Sequence, residues 1–162
     1  MKRHYLDTSA IVKRYISESG TEVVGELYRA AERDALLLQF SLWNVGEVLG
    51  VMDTYQRRGW ITKTEHERIE RLFAAETLKL VKLGALHVLP AQHSYLIKTW
   101  KVIRRHHIYQ ADALQAITAA ENESSTFLTA DAELERVARD EGLEALNVET
   151  DAPKIREAIA RG

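Results

Sequence analysis

Five short apolar runs, at His4–Leu6, Ala35–Phe40, Leu86–Leu89, Thr126–Thr129 and Leu143–Val148, are separated by stretches of helical periodicity far too long to be hairpin turns. Antiparallel neighbours can be joined by a tight turn, whereas parallel strands need a crossover of roughly a dozen residues or more. The run ALLLQF at 35–40 is nearly continuous in its apolarity, the pattern of a strand covered on both faces. The order of elements therefore predicts an α/β fold, a three-layer α/β/α sandwich with a mainly parallel central sheet. Ligands of such sheets bind beyond the carboxyl ends of the strands.

The intervening stretches carry helix signals. Asp7-Thr8-Ser9 opens a first helix with Ile11, Val12, Tyr15 and Ile16 as buried positions, and Gly20-Thr21 opens a second to about Arg33. Ser41 caps a third, which closes on Arg57-Arg58-Gly59, a basic last turn followed by a glycine stop. Thr62 to about Leu83 reads as a long charged helix with Ile69, Leu72, Phe73, Leu80 and Leu83 on its apolar side. Further helices are expected from Ala91 to about Arg105, from Gln110 to about Glu121, from Asp131 to Asp140 and over 152–160. Nothing in the 162 residues resembles a linker or a repeat, so one domain over 1–162 is expected.

Composition removes several classes of chemistry. With no cysteine, disulfides, thiolate zinc sites and cysteine nucleophiles are excluded, leaving His and carboxylate ligands. Lys plus Arg number 22 against 24 Asp plus Glu, so binding of nucleic acid through overall charge is disfavoured and any such contact must come from a local patch. The opening MKRHYLDTSA is not a signal peptide and no long apolar run follows, so a cytoplasmic protein without a membrane partner is expected.

Against this background Asp7, Glu47, Asp112 and Asp131 stand where the pattern asks for apolar or small residues. A carboxylate at a buried strand end costs several kcal/mol unless a cation or hydrogen-bond donors compensate it. Asp7, Asp112 and Asp131 each also fit a helix N-cap. Glu47 lies inside a helix, with Trp43, Gly50 and Val51 as its same-face neighbours, so capping does not account for it; the alternative to a site residue is a surface glutamate snorkelling at the edge of the stripe. Asp53 is rotated away from that face by the helical period. Thr8, Ser9 and Thr129 adjoin the acids as orienting hydroxyls or as cap residues, and Glu135, one turn after Asp131, either joins the cluster or pairs along its helix.

Four acids that need compensation point to a divalent metal, and oxygen ligands suit a hard cation. Basic candidates for phosphate contacts are Lys13-Arg14, Arg57-Arg58, Lys98, Lys101 and above all Arg104-Arg105-His106-His107, just before the Asp112 helix, although helical charge pairs are more commonly solvated faces. A haloacid-dehalogenase-type phosphatase would carry a second Asp where this chain has Ser9, and the Gly-x-Ser-x-Gly elbow of serine hydrolases is missing.

Taken in order, Tyr5-Leu6-Asp7-Thr8-Ser9-Ala10, Val45-Gly46-Glu47-Val48, Ala111-Asp112-Ala113-Leu114-Gln115-Ala116 and Phe127-Leu128-Thr129-Ala130-Asp131 resemble the PIN-domain ribonucleases across nearly the whole chain, and most of all the small VapC-type toxins. The resemblance implies an Mg²⁺- or Mn²⁺-dependent endoribonuclease with Asp7, Glu47, Asp112 and Asp131 as its catalytic acids and metal ligands, acting on an RNA substrate. It also implies a homodimer and, for toxin members, a cognate antitoxin protein. The alternative is a PIN-like module that binds RNA or an antitoxin without turnover.

Overall fold

The computed structural model describes residues 1–161, all but the last residue of the expected domain. In chain order the elements are β1 (Arg3–Leu6), α1 (Thr8–Val12), α2 (Thr21–Glu32), β2 (Leu37–Ser41), α3 (Leu42–Arg57), α4 (Lys63–Lys82), β3 (Leu86–Leu89), α5 (His93–His106), α6 (Gln110–Glu121), β4 (Thr126–Thr129), α7 (Ala132–Asp140), β5 (Ala145–Asn147) and α8 (Ala152–Ala160). The strands form one 5-stranded sheet in the order β3-β2-β1-β4-β5. Every pairing is parallel, with Tyr5 beside Gln39 on one side and Phe127 on the other.

Alternation along the strands divides the core between two faces. Leu6, Leu38, Phe40, Leu128 and Leu146 pack with α1, α2, α3, α4 and α8, for instance against Ile11, Leu27, Met52, Phe73 and Ile155. Tyr5, Phe127 and Ala145 pack on the opposite side with Ala119 of α6 and Leu134 and Ala138 of α7. Tyr5 and Phe127 lie stacked across β1 and β4, their ring centroids 5.5 Å apart. This is the expected sandwich. The chain winds outward from β1 through β2 to β3 and then returns to β4 and β5, so the order reverses between β1 and β4, and a crevice opens at their carboxyl ends.

Two helical expectations change. The first helix stops at Val12, and the following backbone tightens into turns through Tyr15 N–H to Val12 C=O. Leu72 and Leu83 of the α4 region, placed on its apolar side by periodicity, are exposed, whereas Ile69, Phe73 and Leu80 are buried. On α3 and α5, Leu42, Trp43, Leu49, Ile97 and Trp100 also face outward. These helices carry more apolar surface than one sheet face can cover. No helix among the described residues is long and apolar enough to cross a membrane.

Candidate functional site

Asp7, Glu47, Asp112 and Asp131 come together at the sheet's reversal point, lining one cavity of about 680 Å³ with Thr8, Ser9 and others. Asp7 follows β1 directly, and its backbone N–H donates to Leu128 C=O, so the β1–β4 pairing itself fixes the position of the carboxylate. Asp131 follows β4 after Ala130, Glu47 projects from α3 and Asp112 from the first turn of α6.

Capping and site membership coexist. Asp7 is the N-cap of α1, accepting from Ala10 N–H, and Asp131 caps α7 by accepting from Glu133 and Leu134 N–H through Oδ1 alone. Asp112 caps nothing: it lies inside α6, whose N-cap residue is Tyr109. Around Asp7, Ser9 Oγ donates to both carboxylate oxygens and Thr129 Oγ1 donates to Oδ2 at 3.0 Å. Ser9 Oγ also accepts from Ala130 N–H, and Thr129 Oγ1 from Asp131 N–H. The two hydroxyls thus tie the end of β1 to the end of β4 through the acid between them.

Glu47 is held by a second set of bonds that sequence reasoning missed. The backbone N–H of Ser41 can only donate, so the side-chain oxygen of Asn44 must face it, at 2.8 Å, and this oxygen also accepts from the Tyr5 and Ser41 hydroxyls. Asn44 Nδ2 is then directed at Gln115 Oε1 and Thr8 Oγ1. Gln115 in turn presents its Nε2 to Glu47 Oε2 at 2.8 Å, and Thr8 Oγ1 donates to the same oxygen. A buried amide relay therefore runs from the N-cap of α3 to one oxygen of Glu47, and the other has no partner among the described residues. The available sequence signal was Asn44 at the third position after Ser41, which forms a capping box, and Gln115 one turn after Asp112.

The electrostatics show acids short of compensation. Burial raises the Asp7 carboxyl to about 7 against the pull of its hydrogen bonds, with Asp131 adding repulsion. Asp112 is raised to about 6 by burial and then by the charges of Asp131, Glu47 and Glu133. Other acids of the cavity wall have cations: Lys13 Nζ is bonded by both Glu18 and Glu149, which outweigh the effect of burial and hold its ammonium above the usual value. Among the described residues Lys13 is the one cation lining the cavity, and both of these acids already engage it.

Other expected participants lie elsewhere. Glu135 pairs with Arg139 at 2.5 Å and does not line the cavity, because the i,i+4 partner on its own helix is nearer. Arg104, Arg105, His106 and His107 do not line it either; Glu141, just beyond α7, takes Arg105 at 3.2 Å and His106 at 2.8 Å. Among the described residues no three His, Asp or Glu side chains converge closely enough to clasp an ion by themselves. A small hard cation that keeps several waters needs only one or two carboxylates. Buried, mutually repelling acids without a cation fit that need.

A doubly wound α/β domain with an acidic crevice at its reversal point is the class that fold and site define. The PIN domain family profile matches residues 4–140, and the chain belongs to that family. Among curated proteins none matches. Solved structures share the fold at low identity. PAE2754 from Pyrobaculum aerophilum superimposes with a TM-score of 0.66 at 15% identity, covering 96% of each chain. VapC20 of Mycobacterium tuberculosis, described as a sarcin–ricin-loop-cleaving toxin, gives 0.61 at 14% identity, covering 86% of this chain and 95% of its own. FitAcB from Neisseria gonorrhoeae gives 0.57 at 18%, covering 90% and 97%.

Proposed function

We propose that this PIN domain hydrolyses RNA phosphodiester bonds with Mg²⁺ or Mn²⁺ held by Asp7, Glu47, Asp112 and Asp131. The observation that carries the reading is the convergence of four acids, from four separate segments, on one cavity where no side chain of the protein neutralises them. When bound, a divalent cation makes water more acidic and offsets the charge that develops on the phosphoryl group. The protein's own part is orientation. Ser9 and Thr129 fix both oxygens of Asp7, Thr8 and Gln115 fix one oxygen of Glu47, and the α7 N–H groups occupy one oxygen of Asp131. The remaining carboxylate oxygens of Glu47 and Asp131, with Asp112 and the oriented Asp7, would hold the cation, and the phosphate would meet the acids only through it.

Cytoplasmic action as the toxin of a type II pair, with a cognate antitoxin partner, extends the same reading; support comes from VapC20, described as a sarcin–ricin-loop-cleaving toxin, which has a similar fold. Assays with oligoribonucleotides should show cleavage with Mn²⁺ that EDTA abolishes and that Asp7→Asn or Asp112→Asn reduces at least about 100-fold, a loss of the size seen when one electrostatic group is removed. Mn²⁺ should also raise the melting temperature of the parent and not of the variants. Unchanged cleavage by either variant would overturn the assignment, and a Mn²⁺-induced shift without turnover would favour the non-catalytic binding module.

A further inference from the structure

The cavity does not end at the acids. Along α3 its wall continues from Glu47 through Gly50, Val51 and Thr54 to Tyr55, two turns further on. Just beyond, the chain turns at Gly59 with φ +72, and Trp60 N–H donates to Tyr55 C=O, folding Trp60 back onto Tyr55 with ring centroids 5.0 Å apart. Trp60 is nevertheless 61% exposed. The Arg58 guanidinium lies 5.0 Å from its ring centre, and Arg57 is also solvent-exposed, bonded only to Asp53 on its own helix. An exposed tryptophan flanked by two arginines at the rim of an acidic crevice is not a core residue that failed to find cover. Its backbone is pinned and its position is continuous with the site.

A crevice lined by Asp7, Glu18, Glu47, Asp112, Asp131 and Glu149 repels a polyanion, and its one lysine is already bonded by Glu18 and Glu149. An RNA strand must therefore be held from outside the crevice. Base stacking on an aromatic ring together with Arg–phosphate contacts supplies such a hold without regard to sequence. We propose that the corner between α3 and α4 is a subsite for an unpaired nucleobase of the RNA, with Trp60 as the stacking face and Arg57 and Arg58 reaching the adjoining phosphates. The proposal rests on the nuclease reading above. Eight residues of helix separate Glu47 from Tyr55, about 12 Å of axial rise. At roughly 3.4 Å per stacked nucleotide that places the base three to four nucleotides from the scissile phosphate, and fewer in an extended strand.

The test uses the full chain carrying Asp112→Asn, with anisotropy of labelled single-stranded oligoribonucleotides as the readout. Trp60→Ala should weaken binding roughly 5- to 150-fold, the range of one lost stack, and Trp60→Phe should restore most of it. In the cleaving enzyme the same substitution should raise KM for a long oligonucleotide and leave its preference over a dinucleotide abolished. Equal affinity of Trp60→Ala and parent for single-stranded RNA overturns the subsite while leaving cleavage, and its loss in Asp112→Asn, intact. A loss that is the same for duplex RNA also overturns it, and equal binding of single-stranded DNA overturns the choice of RNA. If parent and variant alike neither bind nor cleave RNA, the nuclease reading falls together with the subsite.

Discussion

Replacing Asn44 by leucine keeps the branched shape of the side chain and removes its two polar atoms from the junction between β1, α3 and α6. Three buried groups then lose their partner: the Tyr5 hydroxyl, the Ser41 N–H and the Gln115 carbonyl oxygen, which now meet Asn44 at 3.0, 2.8 and 2.5 Å. Stranding each of the three buried polar groups costs about 1–3 kcal/mol, and the gain from burying two more apolar atoms offsets roughly 1 kcal/mol, so a net loss of about 2–8 kcal/mol is expected. That is a large share of a total stability of about 5–15 kcal/mol. With a urea m-value of about 2 kcal/mol/M, the midpoint should fall by about 1–4 M at constant slope. The measurement is a urea titration followed by circular dichroism in EDTA at neutral pH, which keeps cation binding out of the comparison. Asn44→Asp, which retains the oxygen that serves Tyr5 and Ser41, should lose less by unpaired donors but set a second carboxylate against the Glu47 network. A leucine variant within about 1 kcal/mol of the parent would refute the relay as a structural unit, because no repacking that spares all three groups is available to a side chain without polar atoms.

The remaining expectations concern pH and assembly. In metal-free buffer Asp7, raised by burial to about 7, keeps its proton longer in the native state than in the unfolded chain, so its contribution is greatest below about pH 4 and is lost as pH rises toward 7, by up to about 4 kcal/mol. His4 acts in the opposite sense: fully buried without a partner for either ring nitrogen and lowered by burial to about 4, it is neutral in the native state, so stability is lost as pH falls from about 6.5 to 4. Melting temperatures of Asp7→Asn should therefore fall on acidification, those of His4→Leu should fall on alkalisation, and the parent should be flatter than either; parallel profiles for all three would refute the pair of assignments. The outward apolar residues of α3 and α5 are expected to meet a second copy of the chain, so Trp100→Lys, at a site 59% exposed in the single chain, should shift sedimentation from dimer to monomer, whereas a parent that sediments as a monomer at all concentrations refutes the homodimer.

Much of this arrangement is written locally, and the rest depends on neighbours that no local pattern names. Continuous apolar runs revealed strands because a sheet covered on both faces leaves no polar positions. Asp7, Glu47, Asp112 and Asp131 were visible because each interrupts such a pattern, and the cavity brings all of them together. Asn44 was hidden because an amide three residues after Ser41 already has a sufficient local explanation as part of a capping box, and its second task depends on Gln115, 71 residues later. Glu135 and the Arg105-His106 pair carried the right chemistry, but Arg139 and Glu141 stand closer to them than the crevice does. Leu72 and Leu83 followed the helical period, which states that a helix has a stripe and not how wide a surface awaits it.

The place of β1 between β2 and β4 has a consequence for the newborn chain. Its first strand pairs with β2 early, but the edge facing β4, the Asp7 N–H to Leu128 bond and the Thr129 hydroxyl on Asp7 all wait for residues more than 120 positions later. At about 5–20 residues per second, that interval lasts roughly 6–24 s on the ribosome. Until it ends, Asp7 and, once they are made, Glu47 and Asp112 have no fourth member and no fixed wall. By its own strand order the chain thus cannot assemble the four-acid crevice until synthesis has passed Asp131.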